Sequence, residues 1–169
     1  KQRDGYRFIH AQTIRLASQG FTPKEIAEQL EMPASLRRSF PNRGYYGTLK
    51  HNAKAVYQKY FGWYDGNPAN LDPLPPTEAG QHYVAMMGGA DAMLSKAQAD
   101  FDKGEYRWVA ELLNHLVFAE PDNTAAKSLL AQTYDQLGYQ AESGPWRDAY
   151  LTGALELRQG APKKGLGIA

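Results

Sequence analysis

Apolar positions recur at helical spacing along nearly the whole chain, and nowhere do they alternate over a useful length as a strand requires. Tyr6, Ile9, Thr13, Leu16 and Ala17 fall at such spacing, and Gly20 suits the left-handed position that closes a helix. Thr22-Pro23-Lys24-Glu25 supplies an N-cap threonine, a proline at the first helical position and a glutamate at the third. That capping box predicts a helix through Ile26, Ala27 and Leu30 that stops before Pro33, with a short turn around Leu36 closed by Pro41. After a loop with glycines on either side of Tyr45-Tyr46, Thr48 is placed to cap a helix carrying Leu49, Ala53, Val56, Tyr57, Tyr60 and Phe61, ended by Gly62. Prolines 68, 73, 75 and 76 then predict an extended linker, packed by Trp63, Tyr64 and Leu71.

Beyond Thr77 the pattern changes. One helix leads to Gly88-Gly89, and another carries Leu94, Ala97 and Phe101 to Gly104. Val109, Leu112, Leu113, Leu116 and Val117 form a continuous apolar stripe, broken at Pro121-Asp122-Asn123. Ala126, Leu129, Leu130, Tyr134 and Leu137 follow, with Gly138 as the expected helix end, and Ser143-Gly144-Pro145 starts a last helix. Ala97 to Ala131 and Gly104 to Gly138 are both separated by 34 residues, the period of a tetratricopeptide helical hairpin. Val109 departs from the small residue that repeat prefers. Two hairpins are also fewer than an isolated solenoid needs, so the repeat surface is expected to pack on something else. The expected fold is all-α: a helical cluster with its linker over residues 1–72, tetratricopeptide-like antiparallel hairpins over 77–160, and a tail over 161–169.

Composition narrows the function. The formal charge of +1, from 19 basic and 18 acidic residues, gives none of the basic excess of a nucleic-acid binder. The absence of cysteine excludes disulfides, thiolate metal sites and thiol catalysis. No run approaches the roughly 20 apolar residues that span a bilayer. The start, Lys1-Gln2-Arg3-Asp4, has no initiator Met and no leader, and reads like a piece cut from a longer polypeptide whose export signal, if it has one, lies upstream.

His10, His51, His82 and His115 are isolated from one another, without the spacing of a metal motif, so no metal ligand is assigned. The stretch from Thr22 to Arg38 imitates a helix-turn-helix, but Pro33 and Pro41 leave its second helix too little length to read a groove. No nucleophile elbow or phosphate-cradling glycine loop occurs. The densest chemistry lies between Arg43 and Pro68: one arginine, the tyrosine pair Tyr45-Tyr46, and His51, Lys54 and Tyr57 at steps of three. Tyrosine hydroxyls, a guanidinium and an imidazole all donate to an anion such as sulfate or carboxylate. Tyr57 also lies on the apolar side of its helix and reads equally as core.

This same segment, Asn42-Arg43-Gly44-Tyr45-Tyr46-Gly47, Lys54-Ala55-Val56-Tyr57-Gln58 and Gly62-Trp63-Tyr64-Asp65-Gly66-Asn67-Pro68, resembles the dimerisation domain of bacterial alkyl sulfatases. The likeness continues through Met87-Gly88-Gly89-Ala90, the stretch from Tyr106 to His115, and the stretch from Leu137 to Arg147, so it covers residues 1 to about 160. The resemblance implies a homodimerising helical domain beside the active-site mouth of a zinc hydrolase related to metallo-β-lactamases. In that family two zinc ions sit in a preceding domain, on a His-x-His-x-Asp-His motif that this chain lacks, and release sulfate from esters such as dodecyl sulfate. The fragment itself is then expected to carry no cofactor and no activity of its own. Its tail would lead towards a sterol-carrier-like third domain. Tyr46 and Tyr57 are the first candidates for touching the sulfate, with Arg43, Tyr45 and His51 behind them. The competing expectation is a stand-alone tetratricopeptide-like adaptor for another protein.

Overall fold

The computed structural model describes residues 1–160, so the expectation for the 161–169 tail lies outside the described residues. The described residues are all-helical, without a strand, and the chain divides into two compact units, Lys1–Pro73 and Leu74–Ala169. None of the described helices is long and apolar enough to cross a membrane.

The first unit is built on α1 (Gln2–Ala17), α2 (Pro23–Gln29), α3 (Ala34–Arg37) and α4 (Leu49–Phe61), with short 3-10 turns at Phe40–Asn42 and Pro68–Asn70. The capping box at Thr22 forms: Glu25 N–H reaches Thr22 Oγ1 at 3.4 Å, and Thr22 N–H donates to Glu25 Oε2 at 2.8 Å. The Thr22 amide, first, and the Thr22 hydroxyl, also at 2.8 Å, donate to the Glu25 carboxylate and hold it below the usual range. Thr48 caps α4 by accepting from His51 N–H at 2.9 Å. α4 packs on α1 and α2, enclosing Ile9, Leu16, Ile26, Leu30, Ala53 and Tyr57. Asn42 ties the start of the chain to the loop before α4, donating to Leu36 O at 3.0 Å and Lys1 O at 3.3 Å. A Cβ on Gly5 would stand 2.6 Å from Asn42 Oδ1, so a larger residue at this buried helical position would have to displace the Asn42 side chain and its two bonds.

Two details differ from the sequence reading. Tyr6 is 63% exposed, and buried Gly5 takes the neighbouring inward position. Trp63 and Leu71, expected to pack the linker, are both exposed; the turn is held by polar bonds instead. Asp65 accepts from Asn67 N–H at 3.0 Å and Asn70 Nδ2 at 2.7 Å, and these bonds, the Asn67 amide first, hold its carboxyl below the usual range.

The second unit contains α5 (Pro76–Met86), α6 (Ala90–Asp102), α7 (Tyr106–Ala119), α8 (Thr124–Gln140) and α9 (Gly144–Gln159), joined by short connections that fold neighbours back on each other. α7 is the hub: α5, α6 and α8 all pack on it, and α9 packs on α8. Met93, Ala97, Val109, Leu113, Leu116 and Ala126 are fully enclosed. Asn123 caps α8 through Ala126 N–H at 3.0 Å, and Ser143 caps α9 through Trp146 N–H at 3.3 Å. Ala97 and Ala131 are both completely buried, but the paired glycines behave differently. Gly104 closes α6 with a positive φ of 83°, whereas α8 runs on through Gly138 to Gln140. Gly138 is there for proximity: a Cβ would lie 2.9 Å from the Leu151 side chain of α9.

Two buried threonines make an instructive pair. Thr133 Oγ1 donates to Leu129 O at 2.8 Å, satisfying its hydroxyl within α8. Thr13 Oγ1 is enclosed in α1 with no hydrogen-bond partner. Such an orphaned hydroxyl costs about 1–3 kcal/mol in lost hydration. Thr13→Val keeps the shape and removes the penalty, so urea unfolding should show a stabilisation of about 1 kcal/mol. Thr133→Val, which deletes a bond already made, should give no gain.

Candidate functional site

The loop after the Phe40–Asn42 turn and the helix that follows it position the sequence candidates. Arg43 is exposed at the start of the loop. The Tyr45 ring stacks on Phe40 at 5.2 Å between centroids and an interplanar angle of 17°. Tyr46 stands out, 75% exposed. Gly47 lets the backbone pass close to α4, since a Cβ there would meet Asn52 Oδ1 at 2.8 Å.

On α4 the candidates separate. His51 and Lys54 are exposed, whereas Tyr57 is 8% exposed and sits in the core, its ring 4.9 Å from that of Phe61. The reason is geometric: a step of three residues falls short of a full helical turn, so His51 and Tyr57 are about 120° apart around the axis. Steps of three therefore give neighbours in pairs but not a shared face over two steps. Tyr45, Tyr46, Arg43 and His51 remain on the outside of this unit.

Two of the other three histidines, His10 and His115, are engaged with aromatic rings, and His82 is exposed. His10 Nε2 lies 2.8 Å from Tyr60 Oη, linking α1 to α4. His115 stacks on Tyr83 at 4.0 Å, across the α5–α7 contact. Among the described residues no three His, Asp or Glu side chains gather as a metal ion would need. The described donor set thus does not fit a resident zinc. α3 is a single turn, so the helix-turn-helix likeness has no second helix able to present several side chains to a groove.

A second constellation escaped the sequence reading. In the second unit a cleft of about 240 Å³ opens between α6 and α7, floored by Leu112 and walled by Met87, Ala99 and Trp108. Trp108 Nε1 donates to Asp100 Oδ2 at 3.1 Å, and Lys103 Nζ donates to Asp100 Oδ1 at 2.7 Å. The Lys103 ammonium, first, and the Trp108 indole hold the Asp100 carboxyl below the usual carboxylate range. Lys96, from the same helix, donates to Met87 O at 3.0 Å. The spacing of Asp100 and Lys103 was a legible local signal, but the approach of Trp108 from the next helix was not.

The alkyl sulfatase dimerisation family matches residues 22–160. An alkyl/aryl-sulfatase of Saccharomyces cerevisiae is 62% identical over 97% of the chain, and a linear primary-alkylsulfatase of a Pseudomonas species is 60% identical over 94%. The solved structure of a stereoselective inverting sec-alkylsulfatase from Pseudomonas superposes with a TM-score of 0.93 at 52% identity, over 95% of this chain and 26% of that one. The chain thus spans about a quarter of these relatives, 25% of the yeast protein and 24% of the Pseudomonas one. A match running from the capping box to the end of α9, at these identities, leaves one assignment: the chain belongs to the alkyl sulfatase dimerisation family.

Proposed function

We propose that the chain pairs with a second copy of itself within an enzyme that hydrolyses alkyl sulfate esters such as dodecyl sulfate. The carrying observation is the ordered match, over nearly its whole length, to alkylsulfatases that extend well beyond it. On this reading zinc belongs to a metallo-β-lactamase-like domain outside the chain, and the helical domain packs beside that domain's active-site entrance. Residues 1–72 and 77–160 act together as one dimerisation domain. Large apolar side chains left exposed in the second unit, with Met86 at 87% and Tyr139 at 74%, supply surface that a partner would cover. The two-fold partner is the simplest cover because one patch then serves both copies.

Within that reading, Tyr46 is the leading sulfate contact because its side chain is presented to whatever neighbours the loop. Arg43, Tyr45 and His51 line the approach, and Tyr57 is the second candidate, 8% exposed in the core of the same unit. Size-exclusion chromatography with light scattering on the 169-residue chain should give roughly twice its 18.8 kDa mass. A strict monomer at high concentration would sink the pairing. In the intact enzyme, Tyr46→Phe should slow sulfate release from dodecyl sulfate with the fold unchanged. Activity equal to the parent's would remove Tyr46 from the site.

A further inference from the structure

The cleft between α6 and α7 combines an apolar slot with cationic rims, a pairing that the dimerisation reading does not use. Met87, Ala99, Trp108 and Leu112 offer hydrocarbon and an indole face, while Lys96 and Lys103 stand at its edge. Each ammonium has three N–H groups, and the bonds to Met87 O and Asp100 Oδ1 take one apiece. Asp100 is tied to Lys103 and Trp108, so its charge is matched locally and the rim keeps one net positive charge. The slot of about 240 Å³ is open along one side, so a tail would lie along it with part of its surface in water.

We propose that this cleft binds a free single-chain anionic amphiphile of medium length, its alkyl tail along Trp108 and Leu112 and its headgroup at Lys96 and Lys103. Tail burial supplies affinity, and the ammoniums select an anion over a neutral head. Fully buried methylenes would each tighten binding about fourfold, and the half-open slot makes about two- to fourfold the expected step. The step should vanish once the slot is full. All contributing residues lie in the second unit, whereas the loop tyrosines belong to the first.

The test is calorimetric titration of the 169-residue chain with hexyl, octyl and decyl sulfate below their micellar concentrations, with decanoate and decyl maltoside as comparators. Saturable binding near one molecule per chain is expected, tightening along the series, with decanoate similar and decyl maltoside at least tenfold weaker. Lys96→Met combined with Lys103→Met should weaken the anions at least tenfold and leave the maltoside unchanged. Ala99→Trp fills the slot from an exposed position and should abolish binding, with circular dichroism reporting the fold. Equal affinity for the maltoside, inorganic sulfate competing as well as decyl sulfate, or unchanged affinity in a folded lysine double variant would each overturn the proposal. Light scattering on the same samples keeps the two readings apart. A dimer that binds no amphiphile speaks against the cleft alone, and a monomer that binds it speaks against the pairing alone.

Discussion

Replacing Gly80 by alanine should lower the melting temperature of the second unit by roughly 10 °C in a circular dichroism melt at fixed protein concentration. Gly80 is buried on α5, where a Cβ would stand 2.5 Å from His115 O and 3.2 Å from Ala119 N. Both are backbone atoms of α7, so no side-chain rotamer can relieve the clash and the two helices must move apart. That separation also strains the Tyr83–His115 stack, which bridges the same pair at 4.0 Å. Overpacking of this kind costs about 3 kcal/mol at the upper end of its usual range. Alanine recovers up to about 1 kcal/mol through its better helix propensity, leaving a net loss of about 2 kcal/mol. Gly153 is the matched control: a Cβ there meets only the Tyr134 ring, at 3.3 Å. A ring can give by a few tenths of an ångström, so Gly153→Ala should be close to neutral. If the two alanines behave alike, the close α5–α7 approach is wrong.

Gly80 also shows where sequence reading stops. Local chemistry was legible: Thr22, Thr48 and Ser143 cap helices because the bonding partner is three residues away. Apolar stripes were equally plain, and Leu112, Leu113 and Leu116 are buried where their spacing put them. Glycine is ambiguous without the fold. Gly104 and Gly138 look alike at a distance of 34 residues, yet one ends a helix and the other makes room for Leu151. Trp63 and Leu71 look like packing residues because they are large and apolar, and burial depends on a partner that composition cannot name. The tyrosine pair of the loop stands out in the sequence by its density of donors, and both rings lie at the surface of their unit. Tyr57 belongs both to that set by its three-residue step and to the apolar side of its helix, and its side chain is buried. The cleft stayed hidden because Met87, Asp100 and Trp108 meet only after three helices have folded together.

Leu113→Ala should have the largest effect of any single truncation considered, a loss of about 3 kcal/mol and roughly 15 °C in the second unit. Leu113 is completely buried on α7, the helix on which α5, α6 and α8 converge. Its neighbours Val109 and Leu116 are also fully enclosed, so no surface side chain can swing in to fill the space. The removed methylenes and the cavity left behind both count, and a hub flanked by three helices relaxes poorly. Leu113→Met, which nearly conserves volume, should cost less than about 1.5 kcal/mol. Leu155, 49% exposed on α9, provides the surface control, with a change within about 0.5 kcal/mol for alanine. The same variant also separates stability from function. Lys96, Lys103 and Trp108 are held by α6 and α7, so well below its lowered midpoint Leu113→Ala should still bind decyl sulfate and still dimerise. Loss of either property in a sample that circular dichroism shows folded would mean that the α7 core sets the geometry of those surfaces as well as their stability.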